Sequence, residues 1–243
     1  MPKKTDASAL QHLVDSLQGA HGENLAAVVL YGSAAAGDLI GTRSNHNLLV
    51  VLNRITTDDL RLAQKPISEW QELGQPTPVY FSVEELNDAA DVFPIEFLQM
   101  EQARKVLFGR DPFEFMNISR GNLRHQTEYE LRTKLIQLRR LYIPASTSVE
   151  RLSRLMGDSL SSFAALFRAV LILHGEHPPV TKAETVRTCV LRLELDGSPF
   201  ERILELRTND RASLTEQEAN AVFAAYMTQI ERVIEVVDRL SEK

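Results

Sequence analysis

Two asparagines, Asn45 and Asn47, stand two residues apart at the head of the apolar run Leu48–Leu52. On a strand, residues at that spacing project to one face, so the two carboxamides point the same way and His46 points the other. A carboxamide offers an oxygen that can ligate a metal, but the group is neutral, and it also carries two N–H donors. Neutral oxygens hold a multiply charged cation less well than carboxylates do, and they do not repel an anion. His46, on the opposite face, is expected to pack or to lie at the surface. Upstream, the apolar run 25–31 enters Gly32-Ser33, a turn at which a missing Cβ permits close approach.

A second set of residues is basic. From Asn117 to Leu155 the chain carries Arg120, Arg124, Arg132, Lys134, Arg139, Arg140, Arg151 and Arg154 against Glu128, Glu130 and Glu150. This window has a surplus of five positive charges in a chain of net charge −6, so the remainder carries −11. Either the window is a solvated helix face or it is an electropositive wall turned toward phosphates. The overall acidity argues against coating of nucleic acid. A third set, Arg168 and His174, brackets five residues of one apolar helix and has the types for acid/base and phosphate roles. A structural role competes with it: His174 falls in a last helical turn, where a partly cationic ring suits the dipole, and Arg168 reads as a bundle-edge charge.

The elements that must position these groups follow from periodicity. Residues 7–18 space Leu10, Leu13, Val14 and Leu17 as a helix. Four strands are expected, over 25–31, 47–52, 78–82 and 105–109. Residues 33–38 read as a short helix, 57–73 as one helix stopped by Gly74 and Pro76, and 82–85 as a capping box opening another. Pro94 sits early in a further helix. Beyond residue 117 the pattern turns wholly helical. One stripe ends at Pro144, and a second runs from Val149 to about Gly175. Three more capping boxes begin at Thr181, Ser198 and Thr215, and the last helix carries Val222, Phe223, Tyr226, Ile230, Val233, Ile234 and Val237. Its broad apolar face fits intramolecular core, with a homodimer seam or a protein partner as the other use. The expected architecture is α+β, a mixed sheet flanked by helices over 1–115, followed by an all-α helical bundle over 116–243.

With 44% hydrophobic and 25% charged residues the composition is that of a globular protein. The uninterrupted apolar runs are too short to span a bilayer, so no membrane role is expected. Cys189 is the only cysteine, excludes an intrachain disulfide, and fits a reducing cytoplasm.

The segment Val28-Val29-Leu30-Tyr31-Gly32-Ser33, the Gly37-Asp38 that follows, and Ser44-Asn45-His46-Asn47-Leu48-Leu49-Val50-Val51-Leu52 together resemble the signature of the nucleotidyltransferase superfamily, the fold of polymerase β and of aminoglycoside nucleotidyltransferases. The stretches Asp91-Val92-Phe93-Pro94-Ile95-Glu96-Phe97-Leu98 and Val106-Leu107-Phe108-Gly109-Arg110-Asp111-Pro112-Phe113 are similar to uncharacterised bacterial members. The resemblance implies that Gly32 and Ser33 cradle phosphates, with Gly37 and Asp38 at the polar end of the next short helix. It also implies two Mg²⁺ ions held by carboxylates, which offset the charge of a nucleoside triphosphate and its leaving pyrophosphate. Asn45 and Asn47 fall on two of those carboxylates. The third belongs on the strand near Thr77-Pro78-Val79-Tyr80-Phe81, which holds no acid. At ~4 Å one charge pair is worth about 4 kcal/mol at an effective dielectric near 20, so losing all three should largely abolish Mg²⁺ binding in the usual place.

The first reading is therefore a catalytically degenerate nucleotidyltransferase-like protein. Its phosphate-shaped site binds a nucleotide or another phosphorylated small molecule through Gly32, Ser33, Arg124 and Arg132, with Asn45 and Asn47 at degenerate metal positions and no catalytic residue assigned. A second is an active transferase drawing Mg²⁺ ligands from Asp38, Glu84, Glu85 and Glu96. A third notes that Arg168 and His174 loosely match the Arg-x₄₋₆-His motif of HEPN-type ribonucleases, and a fourth is a pure interaction protein built on the bundle.

Overall fold

The computed structural model describes residues 7–32, 34–35, 45–179, 181–209 and 213–240. The chain divides into two compact units, Met1–Ser119 and Arg120–Lys243. The expected short helix over 33–38 lies largely outside the described residues.

Among the described residues the first unit is a four-stranded sheet with helices on both faces. Its strands are β1 (Leu25–Tyr31), β2 (Asn47–Leu52), β3 (Val79–Ser82) and β4 (Arg104–Gly109), in the order β3-β2-β1-β4. β1 runs antiparallel to β2 and β4, and β2 runs parallel to β3, so the sheet is mixed as expected. β1 and β2 are apolar without alternation because both faces are covered. On one face Val28, Leu30, Leu48, Val50 and Leu52 pack with Leu13, Val14 and Leu17 of α1 (Ala7–His21) and Trp70 of α3 (Gln64–Glu72). On the other, Ala27, Val29, Leu49 and Val51 pack with Leu86 of α4 (Val83–Asp88), Phe97 and Met100 of α5 (Pro94–Gln102), and Phe113.

The expected single helix over 57–73 is two helices, α2 (Thr57–Leu62) and α3, meeting at Ala63. Pro66 is the reason: it has no N–H to return to the Leu62 carbonyl, and its ring crowds that oxygen. Thr56 and Asp59 form a capping box at the start of α2 that the sequence reading overlooked. The box at Ser82 and Glu85 is present, and Pro94 occupies the first turn of α5.

The second unit is all-helical: α6 (Arg120–Ala145), α7 (Val149–Leu173), α8 (Lys182–Arg192), α9 (Ser198–Thr208) and α10 (Glu216–Asp238). Pro144 lies inside the last turn of α6, and the helix ends one residue later. α7 is the central member and contacts α6, α8, α9 and α10. By length and composition α7 could cross a membrane, a property the search for uninterrupted apolar runs missed because its few charges are spread out. Its apolar residues, among them Leu152, Met156, Phe163, Phe167 and Val170, are buried in the bundle. Phe163, Phe167, Phe200 and Tyr226 meet edge to face at centroid distances of 5.7–6.3 Å, apart from the tilted 6.4 Å pair Phe163–Phe167. The Tyr226 hydroxyl finds Ser159 Oγ at 3.3 Å.

The apolar face of α10 is spent on this core: Phe223, Tyr226, Ile230, Val233, Ile234 and Val237 are all buried. Cys189 is likewise buried, which pushes its thiol up to about 12. The capping box at Thr215 and Glu218 is formed, and Thr181 accepts from the Glu184 amide. The box expected at Ser198 is not. Ser198 is the first residue of α9, Asp196 accepts from both its amide and its hydroxyl, and Glu201 turns away to pair with Arg187.

Two predictions follow from this packing. His21, at the end of α1, is 7% exposed and neither ring nitrogen has a partner among the described residues. Its ring meets Tyr80 edge-on at 6.3 Å. Burial holds its pKa below the ordinary 6.5, with Asp59 opposing that shift. The folded state thus favours the neutral ring. Its stabilising contribution is complete above the ordinary value and is lost as pH falls through 6.5 toward the lowered one. Between pH 7.5 and 5 the melting temperature of wild type should fall relative to that of His21→Leu, which has no ring to protonate, and parallel curves would contradict this.

The second prediction ranks two glycines. Gly109 (φ 77°) would place a Cβ 1.9 Å from the Ala26 carbonyl oxygen, whereas at Gly32 (φ 79°) it would meet, among the described residues, only Asn47 Nδ2 at 3.4 Å. Gly32→Ala should cost about the ~1–2 kcal/mol of left-handed strain, and Gly109→Ala clearly more, because a backbone must move. Urea unfolding of both variants measures the ranking, and equal losses would refute it.

Candidate functional site

β1 ends at Tyr31 and hands the chain to Gly32, whose positive φ turns it out of the sheet. The Gly32 N–H donates to the Ala103 carbonyl at 2.9 Å, and its own carbonyl accepts from Ala35 N–H at 2.9 Å. The amide of Gly32 is therefore engaged in joining β1 to the approach of β4, so any phosphate cradle here must draw on other amides. Ser33, Gly37 and Asp38 lie outside the described residues.

The register sets Asn47 directly opposite Tyr31. Tyr31 and Arg104 are also directly opposed. Directly opposed residues share a face of the sheet, so Asn47, Tyr31 and Arg104 form a row across three strands. The row lies on the face covered by α4 and α5. Asn45 is exposed two residues before Asn47. Burial raises the pKa of the Tyr31 phenol, which keeps it protonated as a donor. His46 takes the opposite face, as its position between the two asparagines requires. Its ring meets Trp70 edge-on at 6.2 Å, and its N–H donates to Gln75 Oε1 at 2.8 Å.

Arg104 was not singled out by the sequence reading. Its Nε donates to Asp111 Oδ2 at 2.9 Å, its Nη2 reaches the same oxygen at 2.8 Å, and its Nη1 donates to the Glu101 carbonyl at 2.6 Å. The guanidinium lies 5.6 Å from the Phe113 ring centroid. The one signal for it was an arginine opening the apolar stretch 106–108 with an aspartate seven residues on.

Among the described residues no set of carboxylates is gathered here for a two-metal centre. Asn47 opens β2 and Asn45 precedes it, both neutral, and β3 offers Val79 and Phe81 on the same face, with no acid. Glu85 is held as a cap by the Ser82 amide at 2.8 Å, and Asp111 is held by Arg104. Among the described residues no three acids, histidines or cysteines group as metal ligands, so Glu84, Glu85 and Glu96 do not converge.

In the second unit Arg124 and Arg132 share one carboxylate. Arg124 Nη1 reaches Glu128 Oε2 at 3.0 Å and Arg132 Nε reaches Glu128 Oε1 at 2.8 Å. The Arg132 hydrogen bond leads the effects that lower the Glu128 pKa. Arg132 also lies 3.6 Å from Asp238, and Arg139 lies 2.7 Å from Glu231. The basic surplus of the 117–155 window is thus partly offset by acids of α10, far along the chain. Arg124 is 9% exposed. Arg168 donates to the Pro179 carbonyl, and His174 Nδ1 lies 2.8 Å from the Val170 carbonyl. Both side chains fasten the end of α7.

No family model matches the chain, and no curated protein matches it. Among solved structures it is similar to spectinomycin adenyltransferase AAD(9) from Enterococcus faecialis, crystallised with ATP and spectinomycin. The TM-score is 0.57 and the identity 13%, over 94% of this chain and 99% of that one. At that identity the likeness speaks to the fold. The sheet order, the Gly32 turn between β1 and β2, the helical second half and this end-to-end similarity together establish that the chain has the nucleotidyltransferase-like fold.

Proposed function

We propose that this chain is a nucleotidyltransferase-like protein that binds a nucleotide, or another phosphorylated small molecule, at the Gly32 end of its sheet without the two-metal chemistry of the superfamily. The observation that carries the reading is the row of Asn47, Tyr31 and Arg104 beside the Gly32 turn, with Asn45 next to it and no carboxylate on β3. Carboxylates at those places would repel a triphosphate unless metal ions intervened. Carboxamides do not repel it, and their N–H groups and the protonated phenol can donate to phosphate oxygens. Each donor is weaker than an ion pair, so binding depends on several acting together. ATP is the first ligand to test because AAD(9) was crystallised with it. A cytoplasmic setting belongs to the same proposal, since the lone cysteine is a buried thiol.

Thermal melting with ATP, GTP, CTP and UTP should show at least one raising the melting temperature in the presence of EDTA. A ligand at about 100 times its Kd adds about 2.7 kcal/mol, which is several degrees for a chain of this size. No shift with any of the four would refute the nucleotide reading, and a shift that appears only with Mg²⁺ would refute the metal-free one.

The double variant Asn45→Asp/Asn47→Asp should reverse the dependence. Metal-free binding should weaken by at least about tenfold, because two anions now face the phosphates, and Mg²⁺ should restore part of it. Titration calorimetry with and without Mg²⁺ measures both. Unchanged metal-free affinity would place the ligand elsewhere.

A further inference from the structure

β3 is an edge strand, paired with β2 on one side only among the described residues. Successive residues of a strand turn their N–H and C=O groups to opposite edges. The Ser82 N–H is taken by Glu85 Oε2 at 2.8 Å, so it points away from β2. Tyr80, two residues earlier, therefore aims its own N–H and C=O off the sheet. Two cavities flank this edge. One, of about 360 Å³, lies toward α2 and α3 and is lined by Leu60, Ala63, Ile67, Thr77 and Tyr80 among others. The other, of about 480 Å³, lies toward α4 and is lined by Tyr80, Phe81, Glu84, Glu85, Asp88 and Phe93 among others. Glu84 and Asp88 are exposed, and among the described residues neither forms an ion pair.

An open strand edge with a cavity on each face is the anatomy that accepts an added strand. Main-chain hydrogen bonds hold the guest, and alternate side chains drop to either side. We propose that β3 receives an extended segment of a partner protein. An apolar side chain of that segment enters the cavity beside Ala63 and Ile67, and the neighbouring lysine or arginine enters the one beside Glu84 and Asp88. Charge complementarity selects this guest. A second copy pairing through its own β3 would bring Val79, Tyr80, Phe81 and Ser82, none of them basic. Neither cavity includes Gly32, Asn45 or Asn47, so the inference does not depend on the ligand reading.

Fluorescence anisotropy of the full chain with the labelled peptide Ser-Val-Lys-Val-Lys-Val-Ser, against its counterpart with glutamate for lysine, tests the charge rule. The lysine peptide should bind at least about tenfold more tightly. Glu84→Lys/Asp88→Lys, with circular dichroism to confirm its fold, should invert the preference. Amide exchange followed by NMR should show the Tyr80 N–H slowed on saturation with the lysine peptide. Equal affinity for the two peptides, or binding that leaves Tyr80 exchange unchanged, would overturn the inference. Tyr80 protection that instead rises with protein concentration, in step with a dimer in sedimentation, would assign the edge to a second copy and overturn it as well.

Discussion

The first unit depends on the burial of β1 and β2 on both faces. Helices cover the sheet above and below, so Val28 and Leu30 must be as apolar as Ala27 and Val29. Such strands carry no alternation to choose a register. The choice falls on what lies at their ends: the Gly32 turn, its bond to Ala103, and the polar residues that begin β2. A slip of one residue would bring His46 onto the α5 face and turn Asn47 toward Trp70. The chemical character of the site therefore rests on a register held by a turn and by Trp70, which accepts the His46 ring on the far face.

Electrostatics in the two units follow different rules. Around the sheet, β2 and β3 carry no charged side chain. The cation of the row, Arg104, comes locked to Asp111 and stacked on Phe113. In the bundle, charge is plentiful but largely internal. Glu128 serves two arginines at once, and α10 supplies Glu231 and Asp238 to α6. These pairs are mostly exposed and contribute little stability individually. Their clearer effect is to lower the field that α6 presents, which a count of charges along a window cannot foresee.

What was legible in the sequence is what local physics decides. The four strands lie where apolar runs met turn residues, and His46 faced as the two-residue period requires. The boxes at Ser82 and Thr215 formed where a hydroxyl and the carboxylate three residues on each bond the other's backbone amide. The failures have equally specific causes. Pro66 sits inside a helical pattern whose charged and apolar spacing continues through it. Ser198 is displaced as a cap by Asp196, and its intended partner Glu201 is taken by Arg187 on another helix. Arg104 gained its place only when β4 was laid against β1, a pairing of residues more than seventy positions apart that no local spacing encodes.

The burial of α7 has a consequence for the order of synthesis. The helix is apolar enough to interest a membrane, yet three of the four helices that cover it, α8, α9 and α10, lie in the 70 residues that follow Leu173. At roughly 5–20 residues per second, a translating ribosome needs between about 4 and 14 s to make those 70 residues. Until they are made, part of the apolar surface of α7 is uncovered. How fast α6 and α7 close into a hairpin then decides whether the growing chain stays clear of chaperones and bilayers until its last helix arrives.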